Sequence, residues 1–283
     1  MGVDMSKLIY ANLVRMIRSK VFWVSEIFLI GYSIFVYAMG MINVRNNSLT
    51  INNGWTVYFF NEMLFIHVVM AVFIPFFIGV EYSDGTIRNK IAVGHTRIDI
   101  YLANVIVCYV AGLLQFITYS VVSALSALFF IGPYALTSMG QIPWRVGCSL
   151  FIILAYTAAF SLIAMLDANK ARAVVIELVL AFVFVMLVMQ IYSDLQEPEL
   201  TNRVVMSETG EMVLEENIPN SKYVSGTKRV VYEWLDACLP EDQAMYVIDP
   251  ETVFSVKAPL CLLGESVILV AAGAYLFRRK DIK

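Results

Sequence analysis

Residues 81–99 read EYSDGTIRNKIAVGHTRID and form the only long polar interruption in the first half of an otherwise mostly apolar chain. Because this stretch lies between two long apolar runs, we predict that it forms a loop at one face of a membrane. Asp84 is suited to cap a short helix, since its carboxylate accepts the free N–H groups of a first turn. Gly94 is suited to end that helix, and Thr96 followed by Asp99 predicts the start of the next one.

The predicted short helix, residues 83–93, places Ile87 and Ile91 four positions apart, so they share one face. A helix of roughly 8 residues is not stable alone in water. It therefore needs a surface to dock on, and our hypothesis is that it contacts another protein that drives this one.

The composition places most of the chain in lipid. Of the 283 residues, 59% are hydrophobic and only 15% are charged, whereas soluble domains are about 45–50% apolar and about 25% charged. A helix of about 20 apolar residues crosses the hydrocarbon core, and the alternating pattern of a β-barrel is missing. We predict an all-α polytopic membrane protein with six transmembrane helices, at residues 21–42, 56–80, 104–132, 146–166, 173–192 and 258–277.

The distribution of Lys and Arg predicts the orientation, because cytoplasmic loops carry an excess of both. With the N-terminus in the cytoplasm, the short outer loops hold only Arg45 and Arg145. The residues on the inner side are then Lys7, Arg15, Arg18, Lys20, Arg88, Lys90, Arg97, Lys170, Arg172, Arg278, Arg279, Lys280 and Lys283. We therefore expect a multi-pass protein of the cell (plasma) membrane with both termini and the 81–99 stretch in the cytoplasm.

Residues 1–20 precede the spans and carry Met5, Ile9, Leu13 and Met16 at helical spacing, with basic residues between them. This pattern predicts an amphipathic helix on the inner membrane surface. The alternative is an ordinary basic flank that anchors the first span. Spans 1–5 then occupy residues 21–192.

Residues 193–257 are the one sizeable polar region, and we predict that they form an extracellular lobe between spans 5 and 6. Between positions 194 and 256, 13 acidic and 4 basic residues give a net charge of −9. Turn residues at 208–210 and 225–226 predict a hairpin followed by a helix near 228–239, hence a small α+β lobe. Span 6 and a basic cytoplasmic tail complete the chain at 258–283.

Four cysteines are present, and their spacing fits no metal site. A bridge between Cys238 and Cys261 is one interpretation. The other is that the thiols behave as small buried hydrophobes.

Ionisable groups within a bilayer are costly and usually face a bundle interior or a cavity. Four polar residues of the predicted spans are therefore candidates for a substrate path: Glu62, His67, Gln115 and Glu265. For Glu62 and His67, the alternative is a pair at the outer interface that reaches water or packs against a neighbouring span.

Glu177 lies about one turn inside the fifth predicted span. We predict a structural role for it, as the partner of Lys170 or Arg172 in the preceding turn. Such a pair would satisfy a charge near the inner face of the membrane.

Catalytic motifs are missing from the sequence. There is no G-x-x-x-x-G-K-[ST], no H-E-x-x-H and no G-x-S-x-G, and His67 and His95 are the only histidines. The basic residues flank membrane spans and form no nucleic-acid-binding stripe. We therefore predict no enzyme activity, no metal site and no nucleic-acid binding.

The segment EYSDGTIRNKIAVGHTRIDIYLAN, residues 81–104, closely resembles the cytoplasmic loop of type-2 ATP-binding-cassette (ABC) exporter permeases of Gram-positive bacteria. The tail GAYLFRRKDIK, residues 273–283, resembles the usual C-terminus of the same family, and the layout of six spans with a larger outer segment is similar. The outer segment itself follows no family pattern.

The resemblance implies a permease subunit that pairs with a second copy as a homodimer or heterodimer, each copy bearing one ABC ATPase subunit. ATP and Mg would bind the ATPase, and this chain would bind no cofactor. In this family the loop forms a coupling helix that enters a groove on the ATPase. Carried over, the contact would involve Glu81, Gly85, Thr86, Arg88 and Lys90, together with Asp84, Ile87 and Ile91 of the same stretch.

The implied function is ATP-driven export by alternating access, with ATPase closure pushing the coupling helix and thereby the second and third spans. The acidic lobe attracts cations, so we expect a peptide or antimicrobial substrate. The alternative is that its acids only keep the lobe soluble. A non-transporting sensor gated by an ATPase and an intramembrane enzyme are the competing functions.

Overall fold

The computed structural model describes residues 5–47, 58–130, 142–206, 212–249 and 256–281. In chain order its elements are α1 (Met5–Arg18), α2 (Lys20–Asn47), a 3-10 turn (Asn61–Leu64), α3 (Ile66–Ser83), α4 (Thr86–Ala92), α5 (Arg97–Phe130), α6 (Ile142–Leu166), α7 (Lys170–Gln196), β1 (Leu200–Met206), β2 (Met212–Pro219), α8 (Gly226–Cys238), α9 (Pro240–Ile248) and α10 (Lys257–Arg279). The predicted turn at 208–210 lies outside the described residues.

Within these ranges, six helices are long and apolar enough to cross a membrane, namely α2, α3, α5, α6, α7 and α10. They match the six predicted spans in order, so the chain is a helical multi-pass membrane protein. The longest, α5, has 34 residues. That is about 51 Å at 1.5 Å per residue, against about 30 Å of hydrocarbon, so α5 extends beyond the bilayer or crosses it at a tilt.

The predicted start of the second span is wrong. The sequence predicts a helix from residue 56, but the continuous helix α3 begins at Ile66 and is preceded by the 3-10 turn. Phe65, with φ −120° and ψ −12°, separates the two, and its N–H donates to the Glu62 carbonyl at 2.8 Å. In the same turn, the Asn61 side chain accepts a hydrogen bond from the Tyr32 hydroxyl. The polar residues that interrupt the span therefore lie on an irregular entry segment.

The N-terminal helix α1 is amphipathic, as predicted, but its buried stripe consists of Leu8, Asn12 and Met16. Ile9 and Leu13, from the predicted apolar face, are only partly buried. The buried stripe packs on α5, so α1 is joined to the bundle through a face that includes a buried asparagine.

At the centre of the bundle is α6, which packs against α3, α5, α9 and α10. By contrast, α7 exposes large apolar side chains such as Phe182 (61% exposed) and Met186 (53% exposed). An apolar exposed face on a spanning helix is the face that lipid or a second membrane chain covers.

The turn between α6 and α7 is stabilised locally. Asn169 caps α7, because its side-chain oxygen accepts the N–H groups of Ala171 at 3.0 Å and Arg172 at 3.2 Å. Arg172 also pairs with Asp167. The predicted partnership of Glu177 with a base of this turn is therefore wrong: its carboxylate is fully buried and has no hydrogen-bond partner among the described residues.

The lobe contains the predicted hairpin and helix. Strands β1 and β2 pair antiparallel, with Val204 opposite Leu214. An irregularity in their register lies between Thr201 and Arg203. The backbone of Asn217 is in the left-handed region there, with φ 57°, a conformation that asparagine tolerates. Helix α8 follows the hairpin as expected.

Helix α9 was not predicted, and it is not a solvated part of the lobe. Ala244, Val247 and Ile248 belong to the same apolar cluster as the spans. The guanidinium of Arg145, which is 1% exposed on α6, donates to the Val247 carbonyl. These contacts insert α9 into one end of the bundle. All four cysteines, including Cys238 and Cys261, are free thiols.

Helices α10 and α5 approach closely at Gly273, where an added Cβ would overlap the ring of Tyr101. Tyr101 is completely buried and cannot move aside. We expect Gly273→Ala to destabilise the protein by about 1–3 kcal/mol through overpacking, measured as a lower unfolding midpoint in detergent. The control is Gly264→Ala on the same helix, where no heavy atom lies within 4 Å. Equal midpoints for the two variants would contradict this close-packing argument.

Candidate functional site

The short helix of the 81–99 stretch is present, as α4 (Thr86–Ala92), but its predicted cap is wrong. Gly85 occupies the N-cap position with φ 67°, and no side chain caps the helix. Asp84 instead ends α3. Two helices joined by so few residues need a left-handed residue between them, which glycine supplies without steric cost. The helix is therefore shorter than the predicted 83–93.

The predicted end of α4 is confirmed. Gly94 has φ 104°, its N–H donates to the Ile91 carbonyl at 3.0 Å, and the His95 N–H donates to the Lys90 carbonyl at 3.1 Å. These two bonds are the pattern with which a left-handed glycine closes a helix.

The predicted start of α5 is confirmed as well. The Thr96 hydroxyl accepts the Asp99 N–H at 3.1 Å, and the Asp99 carboxylate accepts from the Thr96 hydroxyl at 2.7 Å and from its N–H at 3.3 Å. This reciprocal capping fixes the first turn of α5. Both ends of the loop are thus held by local bonds.

The predicted apolar face of α4 is directed into its own bundle. Ile87 is 1% exposed and belongs to the main apolar cluster, against which Ile91 packs. On this face, the short helix therefore docks on its own chain and not on a partner.

Behind α4 lies a buried polar cluster, which we call the Glu81 network; it consists of Asn12, Arg15, Glu81, Lys90 and Asn104. Glu81 is completely buried. Its carboxylate pairs with Arg15 at 2.7 Å, pairs with Lys90 and accepts from the Asn104 amide at 3.1 Å. The Asn12 side chain accepts from Lys90 at 2.9 Å and donates to Asn104 at 3.2 Å.

The network joins four helices through one carboxylate. Asn12 and Arg15 lie on α1, Glu81 on α3, Lys90 on α4 and Asn104 on α5. Because Lys90 on α4 pairs with Glu81, whose carboxylate also contacts Arg15 and Asn104, a displacement of α4 is resisted by the other three helices together. The arrangement therefore couples α4 to the neighbouring helices through buried charges and amides.

The two cations of the network are only partly solvated. Burial lowers the pKa of Arg15 and of Lys90, and the negative charge of Glu81 opposes both shifts. The guanidinium of Arg15 also stacks over Phe77 at 4.0 Å from the ring centre, which is a favourable cation–π geometry. Glu81 is therefore the group that keeps two positive charges stable beneath α4.

A second group of contacts between helix ends lies beside the Glu81 network. Lys280, just after α10, donates to the Tyr82 hydroxyl at 2.9 Å and to the Met165 carbonyl at 3.0 Å. Arg97 at the start of α5 donates to the Lys280 carbonyl. The C-terminal basic segment is thus packed onto the ends of α3, α5 and α6, whereas the sequence predicted only a basic cytoplasmic tail.

The residues predicted to contact an ATPase divide into two sets. Glu81 and Ile87 are buried, and Lys90, Ile91, Gly85 and Thr86 are partly buried. Of the predicted contact residues, only Asp84 and Arg88 are exposed. Together with the exposed neighbours Asn89, Ala92 and Val93, they form what we call the exposed face of α4. Glu81 therefore supports the helix from behind, and any partner on this surface meets Arg88 and Val93 (70% exposed) first.

The four residues of the predicted substrate path do not line a single cavity. His67 lines a cavity of about 420 Å³ between the 3-10 turn, α3, α7 and α9. Glu265 lines a neighbouring cavity of about 240 Å³ among α6, α7, α9 and α10. Glu62 and Gln115 are completely buried and line neither cavity. The Gln115 amide donates to the Ser25 hydroxyl at 2.8 Å.

Helix α9 adds acidic residues that the sequence analysis did not single out. Glu241 lines both cavities, and its burial raises its pKa to about 7. Burial also raises the pKa of Asp242 to about 8, with the Asp236 carboxylate adding to the shift. Tyr246 donates to Asp236 at 2.8 Å. Two acidic residues of the lobe are therefore inside the fold, where burial favours their protonated form.

The functional residues missed from the sequence are the two asparagines of the network. Asn12 interrupts the buried stripe of α1, and Asn104 interrupts the apolar start of α5. A single polar residue on an otherwise apolar helical face is the signal that could have indicated them, since buried amides need partners.

Among the described residues, no group of three or more His, Cys, Asp or Glu side chains could hold a metal ion. Comparison with protein-family models gives no match to this chain, and no curated protein matches it either.

Proposed function

We propose that the chain is the membrane-spanning subunit of an ATP-driven exporter of the type-2 ABC class, with α4 as its coupling helix. The observation that carries the proposal is the Glu81 network: α4 is fixed to α1, α3 and α5 on one side and is exposed on the other. A short helix held in this way suits the transfer of force from an external partner to the spans that flank it.

The geometry around α4 supports this role. Helix α1, α4, the α6–α7 turn and Lys280 after α10 lie at one end of the bundle, since Arg15 pairs with Glu81 there and Lys280 contacts Tyr82 and Met165. The positive-inside rule assigns that end to the cytoplasm, where an ATPase has access to nucleotide. The hairpin lobe then faces outward. We infer a dimer of such subunits, each bearing one ATPase that binds ATP and Mg.

We expect Arg88→Glu to reduce recovery of the ATPase by roughly tenfold, because it reverses a charge at the centre of the exposed face of α4. The chain would be purified from its native membrane and the co-purified nucleotide-binding subunit quantified by mass spectrometry. Lys222→Glu, the same charge change at an exposed position of the lobe, is the matched control.

Three outcomes are informative. Loss of the ATPase from Arg88→Glu but not from Lys222→Glu supports coupling through α4. Equal recovery from both variants contradicts the assignment of the contact. Absence of any nucleotide-binding subunit from the unaltered chain contradicts the exporter class itself and favours a different membrane function.

The substrate belongs to the same proposal. A lobe of net charge −9 attracts cations, which favours a cationic peptide or antimicrobial. Glu241 and Asp242 are buried, so the exposed acids of the lobe supply this attraction. A sensor gated by an ATPase would share the coupling helix, and transport by reconstituted vesicles distinguishes the two.

A further inference from the structure

The two cavities beside α9 share a wall. Ala181 and Glu241 line both the larger one, of about 420 Å³, and the smaller one, of about 240 Å³. A methyl side chain and a carboxylate therefore form their common boundary. The remaining lining is almost wholly aliphatic and aromatic, and no Lys or Arg of the described chain lines either cavity.

Polar atoms without hydrogen-bond partners line these cavities. Tyr156, which is 3% exposed, has a hydroxyl with no partner among the described residues, and it lines the smaller cavity together with Glu241 and Glu265. One carboxylate oxygen of Glu265 also lacks a partner. In the larger cavity, His67 is 6% exposed and its Nδ1 is unpartnered. Buried polar atoms are normally satisfied, so this arrangement is suited to a ligand that donates hydrogen bonds.

We propose that the paired cavities bind a single-chain alkylammonium, with its charged head among Tyr156, Glu241 and Glu265 and its alkyl chain extending past Ala181 into the larger cavity. An ammonium group has three N–H donors and no acceptor, which matches three converging acceptor groups. The apolar lining supplies the surface that a hydrocarbon chain requires.

Charge and size exclude other occupants. An anionic head would meet two carboxyl groups without a counter-charge in the lining, whereas an ammonium head favours their ionised form. The larger cavity is near the lower end of the range of about 300–1,000 Å³ for small-ligand pockets, so it suits one chain better than an extended peptide. Both cavities are lined by this chain alone, so binding in them does not require an ATPase partner.

The experiment uses the full chain in lipid nanodiscs and a dodecylamine probe that carries a photoreactive group near the end of its alkyl chain. We expect adducts in residues 63–68 and 178–189, the segments that line the larger cavity. Dodecylamine should compete with the probe, whereas dodecanol and dodecanoate should not. Glu241→Gln keeps the volume of the side chain and should weaken labelling roughly tenfold, the loss of one charge-assisted contact.

Glu199→Gln, the same change at an exposed acid of the lobe, is the matched control and should label like the unaltered chain. Glu265→Gln is an independent variant from the opposite wall, and its labelling should fall in the same direction. Folding of each variant is checked by its unfolding midpoint. Unchanged labelling in both cavity variants, or equal competition by dodecanol, would show partition into bulk lipid only and would overturn the proposal.

Discussion

Glu81→Gln should destabilise the folded chain by about 3–5 kcal/mol, the cost of breaking a buried ion pair from one side. The substitution keeps the shape of the side chain but removes the negative charge that faces both Arg15 and Lys90. Neither cation can recover full hydration, because burial already lowers the pKa of each. The asparagine amides of the network cannot replace a carboxylate as the counter-charge.

Reversible unfolding in mixed detergent micelles measures this effect. Asp167→Asn is the control, because it makes the same chemical change in the other carboxylate–cation pair at this end of the bundle. The side chain of Arg172, the partner of Asp167, is 67% exposed and that of Asp167 is 11% exposed, so solvent screens that pair from the Arg172 side and a smaller change is expected. Similar destabilisation by both variants would contradict the special role of the Glu81 network.

A second substitution tests whether uncompensated charge causes the destabilisation by Glu81→Gln. In the Glu81→Gln background, Lys90→Met removes one of the two uncompensated cations, so part of the lost stability should return. Residues in direct contact are expected to couple in this way. Additive losses from the two changes would indicate that packing, and not charge, dominates at this position.

Local signals in the sequence predicted local structure well. Gly94 and the Thr96–Asp99 pair were predicted correctly, because each acts through bonds within a few residues of chain. The six spans were also predicted, since an apolar run of sufficient length has few alternatives in a bilayer. The hairpin followed by α8 is a third case in which turn residues indicate the structure.

The errors arose where two local signals competed. Asp84 and Gly85 are both residues that favour a helix boundary, and side-chain chemistry alone favoured the aspartate. The tight connection between α3 and α4 selected the glycine, because only a left-handed residue allows the chain to turn there. The second span was mispredicted for a similar reason, since an apolar run does not show that Phe65 leaves the helical conformation.

The features that the sequence did not predict depend on contacts between residues that are distant in the chain. The Glu81 network joins residues that are far apart in the sequence, so no spacing pattern connects Arg15 to Glu81 or Asn12 to Asn104. The acidic region before the last span was interpreted as a solvated lobe on charge alone. Its helix α9 instead packs into the bundle and takes Glu241 with it, which composition could not indicate.

The burial of Glu241 leads to the second large effect, a loss of stability as the pH rises. Its pKa in the folded protein is raised by burial to about 7 from an ordinary value of 4.5, and the nearby Glu265 carboxylate adds to the shift. The folded state therefore holds a proton that the unfolded state has released. The stabilisation is complete below pH 4.5 and is lost as the pH rises through 7.

We expect this carboxyl group to make the chain about 3 kcal/mol less stable at pH 8 than at pH 4.5, since one pKa unit corresponds to about 1.4 kcal/mol. Asp242, whose pKa is raised to about 8, acts in the same direction.

Glu241→Gln should remove the part of the pH dependence due to Glu241 and leave the part due to Asp242. Unfolding midpoints in detergent between pH 4.5 and pH 8 measure the difference, with Glu199→Gln as the control. If the pH profile of Glu241→Gln matched that of the unaltered chain, α9 would not hold this carboxyl group in a buried site.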